Sequence, residues 1–250
     1  MAVWRNPGGL SFGVVMLNST ISLPLQFNNQ KAQAHIATAD KADVARYLAD
    51  CKRIKPETDE DLFWLYIFAL LSVHTTWKCN LRGFTMLKEL GLKNFTARRI
   101  RNRLVKAGCG LSNNRAAFIM ALKAKFWRGA EGPREYRPKS YETLTVCRDR
   151  LAKEIYGLGL TKTSFVLEMV FPESCEIVCL DTHILKLYGH RTGTPGYNRY
   201  RDMERDWATG CAQRKLPSPP VRNMFWDPIQ GFTNMRYWSY VLEKKEKPAA

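Results

Sequence analysis

Apolar residues recur every three to four positions along most of the chain from residue 40 onward, which is the spacing that places them on one face of an α-helix. In residues 41–54 this face consists of Val44, Tyr47, Leu48 and Cys51. The next apolar run, residues 62–73, is continuous, and it is too short to cross a bilayer but long enough for a buried helix. Pro56 and the acidic residues at 57–61 precede it, as is typical of a helix N-terminus. This run is the predicted core helix.

The same criteria predict most of the remaining chain to be helical. Helices are expected at residues 80–90, 96–106, 115–127, 141–155 and 161–170, with a short one beginning at Asp181. Residues 128–140 contain two glycines, two prolines and alternating charge, which predicts a loop. Short alternating apolar segments near the start of the chain predict an extended or hairpin-like arm.

We therefore predict an all-α protein with two lobes. The expected parts are an N-terminal arm over residues 1–39, a lobe in which N- and C-terminal helices of residues 40–60 and 190–250 pack together, and a helical core over residues 61–189. Two helices of that core form a hairpin at residues 141–171. A chain of 250 residues is long enough to bury such a core without disulfides or metals.

Charge and cysteine content narrow the function classes. Lys and Arg total 39 against 23 acidic residues, a formal charge of +16, which favours nucleic acid as a partner. A generally basic solvated surface is the alternative. The seven cysteines include no C-x-x-C pair, so we expect a reducing compartment, no metal site and no cofactor. With no leader-like N-terminus or membrane-spanning run, a cytoplasmic protein is expected.

The hairpin turn reads Tyr156-Gly157-Leu158-Gly159, with Thr161 in the first turn of the next helix. Glycine allows positive φ and close approach of backbone N–H groups. A turn followed by a helix N-terminus offers donors to a phosphate oxygen, so Gly157, Gly159 and Thr161 are candidate contacts to a DNA backbone. An ordinary helical hairpin, which also favours glycine, is the alternative.

Four segments in this order, LSVHTTWK, GLSNNRAAFI, GLGLTK and CLDTHILKLYG, resemble the helix-hairpin-helix DNA glycosylase superfamily over roughly residues 60–190. In that family the hairpin usually reads Pro-Gly-hydrophobic-Gly. Here Tyr156 replaces the proline, and one extra residue separates Gly159 from Lys162. The four-cysteine cluster that ends some members is absent. The resemblance implies the two-lobed fold and a double-stranded DNA partner.

The resemblance assigns two candidate catalytic residues. Lys162 matches the lysine that acts as nucleophile in the members that use Schiff-base chemistry, for which the amine must be unprotonated. Asp181 matches the aspartate that follows the hairpin throughout the superfamily. The alternatives are a phosphate contact or solvated residue for Lys162, and an N-cap of the following helix for Asp181.

Three further residues are candidates for DNA binding. His74 lies where many relatives carry a glutamine that fills the gap left by an extruded base, although a hydrogen-bonded core histidine is the bland alternative. Lys78 and Arg82 follow at helical spacing and could line the same cleft. Several C-terminal residues could contact phosphates or stack on bases, with a solvated basic face as the alternative. These are Arg191, Arg199, Arg201, Arg205, Arg214, Arg222, Tyr197, Tyr200, Trp207 and Trp226.

Within the superfamily, the phrases SVHTTWKCNLRGF and GLGLTKTSFVLEM are most similar to a phage branch, the amino acid:DNA transferases or α-glutamyl/putrescinyl-thymine pyrophosphorylases. This resemblance implies transfer of glycine or serine onto a 5-phosphomethyl-type deoxyuridine in DNA during thymidine hypermodification, by a monomer in the host cytoplasm. The alternatives are a base-excision DNA glycosylase of the endonuclease III or 8-oxoguanine type, with or without lyase activity, and a DNA-binding protein without catalysis.

Overall fold

The computed structural model describes residues 29–73, 75–229 and 231. These residues contain eleven α-helices, two short 3₁₀ helices and no strand. The predicted all-α class is confirmed. The α-helices are α1 Gln30–Thr38, α2 Lys41–Arg53, α3 Asp59–Leu71, α4 Trp77–Leu90, α5 Ala97–Lys106, α6 Ser112–Arg128, α7 Leu144–Glu154, α8 Leu160–Val170, α9 Thr182–Leu187, α10 Tyr197–Gln213 and α11 Ser218–Ile229.

The predicted core helix is α3. Its N-terminus carries a capping box, in which the Thr58 side chain accepts from the Asp61 backbone and the Asp61 carboxylate accepts from the Thr58 backbone. All ten residues from 62 to 71 are buried, because α3 packs against α4, α6 and α8. A helix that is apolar all round is stable only in such a position.

The buried apolar side chains form two clusters. The larger surrounds α3 and includes side chains of α5, α6, α7 and α8. The smaller lies around α1, α9 and α10 and includes Val178, Leu180 and Val221. Residues 177–180 lie between the clusters, with Ile177 and Cys179 in the larger and their neighbours in the smaller. This extended segment therefore joins the two halves of the molecule.

Some predicted boundaries were wrong. Helix α4 begins at Trp77 and not at residue 80, because Thr76 caps it by accepting from the Cys79 N–H. The predicted loop at residues 128–140 contains the 3₁₀ helix Gly132–Tyr136. Helices were expected within residues 190–250, but the bounds of α10 and α11 were not predicted.

Most of the predicted N-terminal arm, residues 1–28, lies outside the described residues. The last part of the predicted arm, after residue 28, forms α1, which packs against α9 and α10. Where the arm and lobes begin and end stays a prediction. Over the described part of the chain, no helix is both long and apolar enough to span a membrane.

A buried carboxyl in α11 makes stability depend on pH. Asp227 is fully buried. Burial raises the pKa of its carboxyl from 3.8 to about 7, against a hydrogen-bonding interaction with Tyr47 and the charge of Arg222. The folded state therefore holds a proton that the unfolded chain releases above about pH 4. The resulting stabilisation is complete below that pH and is lost as the pH rises through about 7.

We predict that Asp227→Asn removes this dependence. Between pH 5 and pH 8, the wild-type free energy of unfolding should fall by about 2–3 kcal/mol more than that of the variant. Urea unfolding at the two pH values measures the difference. The control is Asp43→Asn, since this half-exposed aspartate pairs with Arg46 on the surface, and its change should stay within about 0.5 kcal/mol. Equal pH dependence in wild type and Asp227→Asn would contradict the prediction.

Candidate active site

One cleft of about 690 Å³ collects most of the predicted site residues. Its walls come from the loop before α4, the hairpin turn and first turn of α8, the segment 179–183, residues 193–195, and two side chains of α11. A volume of this size lies within the range of roughly 300–1,000 Å³ that small-molecule sites occupy. The cleft can therefore hold a group as large as a nucleobase.

The hairpin turn forms one edge of this cleft. Gly157 has a φ of +91° and Gly159 precedes α8 as its N-cap, without a side-chain cap. Both glycines and Thr161 line the cleft. The first N–H groups of α8 have no partner within the helix, so they are donors for an anion at this edge. Their contact with DNA stays a prediction.

The segment 177–180 contributes Cys179 and Leu180 to the lining of the cleft, and it is fully buried although it is not helical. Buried backbone groups need hydrogen-bond partners, and here side chains provide them. The Val178 N–H donates to Glu204 at 3.4 Å, and the Cys179 N–H donates to Glu168 at 2.7 Å.

The carbonyl groups of the same segment are also satisfied. The Tyr200 hydroxyl donates to the Val178 carbonyl at 3.2 Å. Thr161 Oγ1 donates to the Leu180 carbonyl at 3.3 Å, which ties the first turn of α8 directly to the residue before Asp181. The hairpin and the segment that carries Asp181 are therefore fixed relative to each other.

Two buried ion pairs hold the carboxylates that accept from this segment. Arg222 donates to Glu168 at 2.7 Å, and Arg148 donates to both oxygens of Glu204 at 2.7 and 3.0 Å. All four side chains are almost completely buried. Charges in such a position are stable only when paired and hydrogen-bonded. The pairs connect α8 with α11, and α7 with α10.

Asp181 has the capping role that its sequence position allowed. Its Oδ1 accepts from the backbone N–H groups of His183 at 2.9 Å and Ile184 at 3.0 Å. Asp181 also lines the cleft. The cap fixes the carboxylate at the cleft wall, so the capping and catalytic interpretations are compatible.

Lys162 lines the same cleft from the first turn of α8. Its ammonium nitrogen lies 5.8 Å from the centre of the Phe165 ring. Burial raises the pKa of the Cys179 thiol to about 12, and the charges of both Lys162 and Asp181 act on this group. The amine and the carboxylate therefore belong to residues that line the same cleft and that both act electrostatically on Cys179. Their catalytic roles stay predictions.

Two other predicted DNA-binding residues, Lys78 and Arg82, do not line the cleft. Lys78 and Arg82 are exposed on α4, whose neighbouring residues Trp77 and Asn80 do line it. The expectation that Lys78 and Arg82 line the cleft was therefore wrong, because their positions on α4 face solvent. A contact with DNA outside the cleft stays a prediction. His74 lies outside the described residues.

Among the C-terminal candidates, Tyr200, Arg222 and Trp226 line the cleft. Trp207 is instead completely buried in the smaller cluster. Sequence reasoning did not single out Phe165 or Cys179, which also line the cleft. Phe165 could have been found by helical spacing, since it lies one turn after Lys162. Nothing in the sequence pattern marks Cys179.

Arg115 of α6 links two loops beside the cleft. Arg115 is buried, and its guanidinium donates to the Gly110 carbonyl at 2.6 Å and to the Val73 carbonyl. Val73 lines the cleft. The loop at residues 108–111 is therefore held beside the loop that precedes α4.

No group of three or more His, Cys, Asp or Glu side chains in the described ranges is arranged to hold a metal ion. The chemistry that the cleft residues themselves offer is that of an amine and a carboxylate beside aromatic surfaces.

The comparisons with known proteins agree with one another. The sequence model of a family described as 8-oxoguanine DNA glycosylase matches residues 20–194, which is well over half of the chain. A search of curated protein sequences found no match.

Three solved structures share the fold. The 8-oxoguanine DNA glycosylase Tm1821 of Thermotoga maritima is 20% identical, with a TM-score of 0.63, over 82% of this chain and 97% of its own. The 8-oxoguanine DNA glycosylase of Methanocaldococcus jannaschii is 20% identical, with a TM-score of 0.64, over 82% of this chain and 95% of its own. The Methanocaldococcus jannaschii 8-oxoguanine glycosylase/lyase in complex with a 15mer DNA containing 8-oxoguanine is also 20% identical, with a TM-score of 0.64. The match covers 82% of this chain and 98% of the other.

The hairpin glycines permit a matched test. A Cβ added to Gly157 would lie 2.3 Å from the Phe118 ring, and the residue has positive φ. At Gly159 a Cβ would meet nothing within 4 Å, and φ is −103°. We predict that Gly157→Ala lowers the free energy of unfolding by about 2–4 kcal/mol through overpacking and backbone strain.

Gly159→Ala is the control, and it should cost no more than about 1 kcal/mol. Urea unfolding of the two variants measures both values. Equal losses would show that neither the Phe118 contact nor the positive φ shapes this turn.

Proposed function

The chain belongs to the 8-oxoguanine DNA glycosylase family, and we propose that it excises oxidised guanine from double-stranded DNA with Lys162 as the nucleophile. The observation that carries the proposal is the presence of Lys162 and Asp181 on one cleft beside the hairpin. The family match supports excision, which was the alternative in the sequence-based interpretation. Amino-acid transfer, the first interpretation, has no support from the family match or the solved structures.

The dimensions and lining of the cleft suit an extruded base. An enzyme that acts on a base of a duplex must turn the nucleotide out of the stack. Phe165 and Trp226 offer aromatic surfaces on which a planar base can stack. Arg222 also lines the cleft, and its Nε is buried without a hydrogen-bond partner among the described residues.

Lys162 and Asp181 divide the chemistry. The Asp181 carboxylate accepts a proton from the Lys162 ammonium, and the free amine attacks C1′ of the deoxyribose as the bond to the base breaks. The sugar ring then opens to a Schiff base with Lys162. Asp181 passes this proton on to the departing base, so its carboxylate is negative again when the Schiff-base nitrogen becomes positively charged and can stabilise that charge.

The hairpin positions the substrate strand. Backbone contacts to phosphate fix register without reading sequence. Because Thr161 joins the start of α8 to the residue before Asp181, a strand bound at Gly157 and Gly159 would have a fixed position relative to the carboxylate. This arrangement supports a reaction at the sugar of a single extruded nucleotide.

We predict that Lys162 forms a covalent intermediate. A duplex with 8-oxoguanine opposite cytosine should be trapped on the wild-type protein by borohydride, which reduces the Schiff base. Lys162→Gln should give no trapped complex and lose base release by at least about 100-fold, while binding the duplex. Denaturing gel electrophoresis measures trapping, and chromatography measures the released base. Trapping by Lys162→Gln at the wild-type level would overturn the assignment.

Asp181 requires two variants, because it is both a cap and a cleft carboxylate. Asp181→Asn should keep the stability of the fold, since Asn caps as well as Asp, and should lower base release by at least about 100-fold. Asp181→Ala should lose activity and also about 1 kcal/mol of stability. Urea unfolding and single-turnover base release separate the two effects. Full activity in Asp181→Asn would mean that this carboxylate acts only as a cap.

A further inference from the structure

The basic residues of this chain are not evenly distributed. Residues 90–130 contain no Asp or Glu. They contain ten basic residues, so this segment contributes +10 of the formal charge of +16. The ten are Lys93, Arg98, Arg99, Arg101, Arg103, Lys106, Arg115, Lys123, Lys125 and Arg128.

Helix α5 carries the densest part of this charge. Five of its ten residues are Lys or Arg, and Arg98, Arg99, Arg101 and Lys106 are exposed. Its apolar side chains Ile100 and Leu104 are completely buried. The helix therefore packs one face on the core and presents an almost wholly cationic face to solvent.

Within the part of the chain that the structure describes, these cations have no acidic partners. Elsewhere, exposed arginines pair with an aspartate three residues away, as in Arg46 with Asp43 and Arg205 with Asp202. In residues 29–73, 75–229 and 231, no ion pair includes a residue of α5. Such clustered, unneutralised charge repels itself, so an anionic partner would stabilise it.

The C-terminal end of α5 leads into a loop that lies beside residues of the cleft wall. Just beyond this end, the Cys109 thiol donates to the Cys79 carbonyl of α4 at 3.1 Å. Arg115 links Gly110 to Val73, which lines the cleft. With a rise of about 1.5 Å per residue, α5 extends away from this point for about 15 Å. A duplex seated over the cleft could continue along the helix.

We propose that the exposed face of α5 is a second DNA-contacting surface, which binds phosphates of the duplex beyond the nucleotide held in the cleft. Its exposed residues are the four cations together with Ala97, Asn102 and Val105, so positive charge is its main feature. Its contribution is electrostatic and independent of sequence. The inference rests on duplex DNA as the partner and not on the excision chemistry.

The test removes two charges from α5 and two from elsewhere on the same basic segment and the adjoining loop. Arg98→Gln with Arg101→Gln is the test variant. Arg128→Gln with Arg134→Gln is the control. Both residues are exposed and lie near the C-terminal end of α6, whereas Arg115 lies near its N-terminal end. Binding of an undamaged 25-base-pair duplex is measured by fluorescence anisotropy as a function of salt.

The slope of log affinity against log salt is negative, and we expect it to become shallower by about 2 in the test variant and to stay unchanged in the control. Affinity at low salt should fall by about tenfold in the test variant alone. Arg98→Glu with Arg101→Glu should weaken binding further. Thermal unfolding of each variant verifies that the fold is retained.

An unchanged salt slope in the test variant would overturn the proposal, and it would point to an acidic protein as the partner of this face. An equal loss in the control would also overturn it, because the effect would then reflect net charge alone. Since the duplex carries no damage and no base is released, these outcomes are separate from those that test excision.

Discussion

The arrangement of the cleft depends on how the backbone N–H and carbonyl groups of residues 177–180 are hydrogen-bonded. This segment crosses between the two hydrophobic clusters in an extended conformation, where neither a helix nor a strand supplies partners for its N–H groups. An unpaired buried amide costs on the order of 1–3 kcal/mol. Two carboxylates, Glu168 and Glu204, accept from it instead. Each carboxylate would in turn be too costly to bury without its arginine.

These ion pairs explain why polar residues occur inside helices that are otherwise core elements. Glu168 lies in α8, where every residue from 163 to 170 is buried, and an apolar residue there would leave the Cys179 amide without an acceptor. A buried ion pair is weak evidence for stability in general. Here its value is positional, since Glu168 links α8, which carries Lys162, to the segment that ends at Asp181.

The sequence allowed the helices of the core to be predicted, because their apolar periodicity reflects one buried face. The sequence order of Lys162 and Asp181, together with the resemblance, also allowed their shared site to be expected. C-terminal helices were expected, but the bounds of α10 and α11 were missed because their arginines, tryptophans and prolines obscure that periodicity. In α11 the prolines at 219 and 220 lie in the first turn, where a missing N–H costs little. Glu168 and Arg222 could not be recognised as partners, since 54 positions separate them and each alone resembles a surface charge.

The same need for hydrogen-bond partners separates the residues that are held in the network from those that are open to solvent. Glu168 and Cys179 lie in the network, whereas Gly159 has open space around its Cα and Lys162 is only half-buried. The groups that would meet DNA therefore project from the edge of a network whose members hold one another in place. A nucleotide entering the cleft would encounter backbone and side chains that are already positioned, so little of its binding energy would be needed to order the protein. This is the property that a reaction at one bond of an extruded nucleotide requires, and it originates in the need to satisfy a few buried amides.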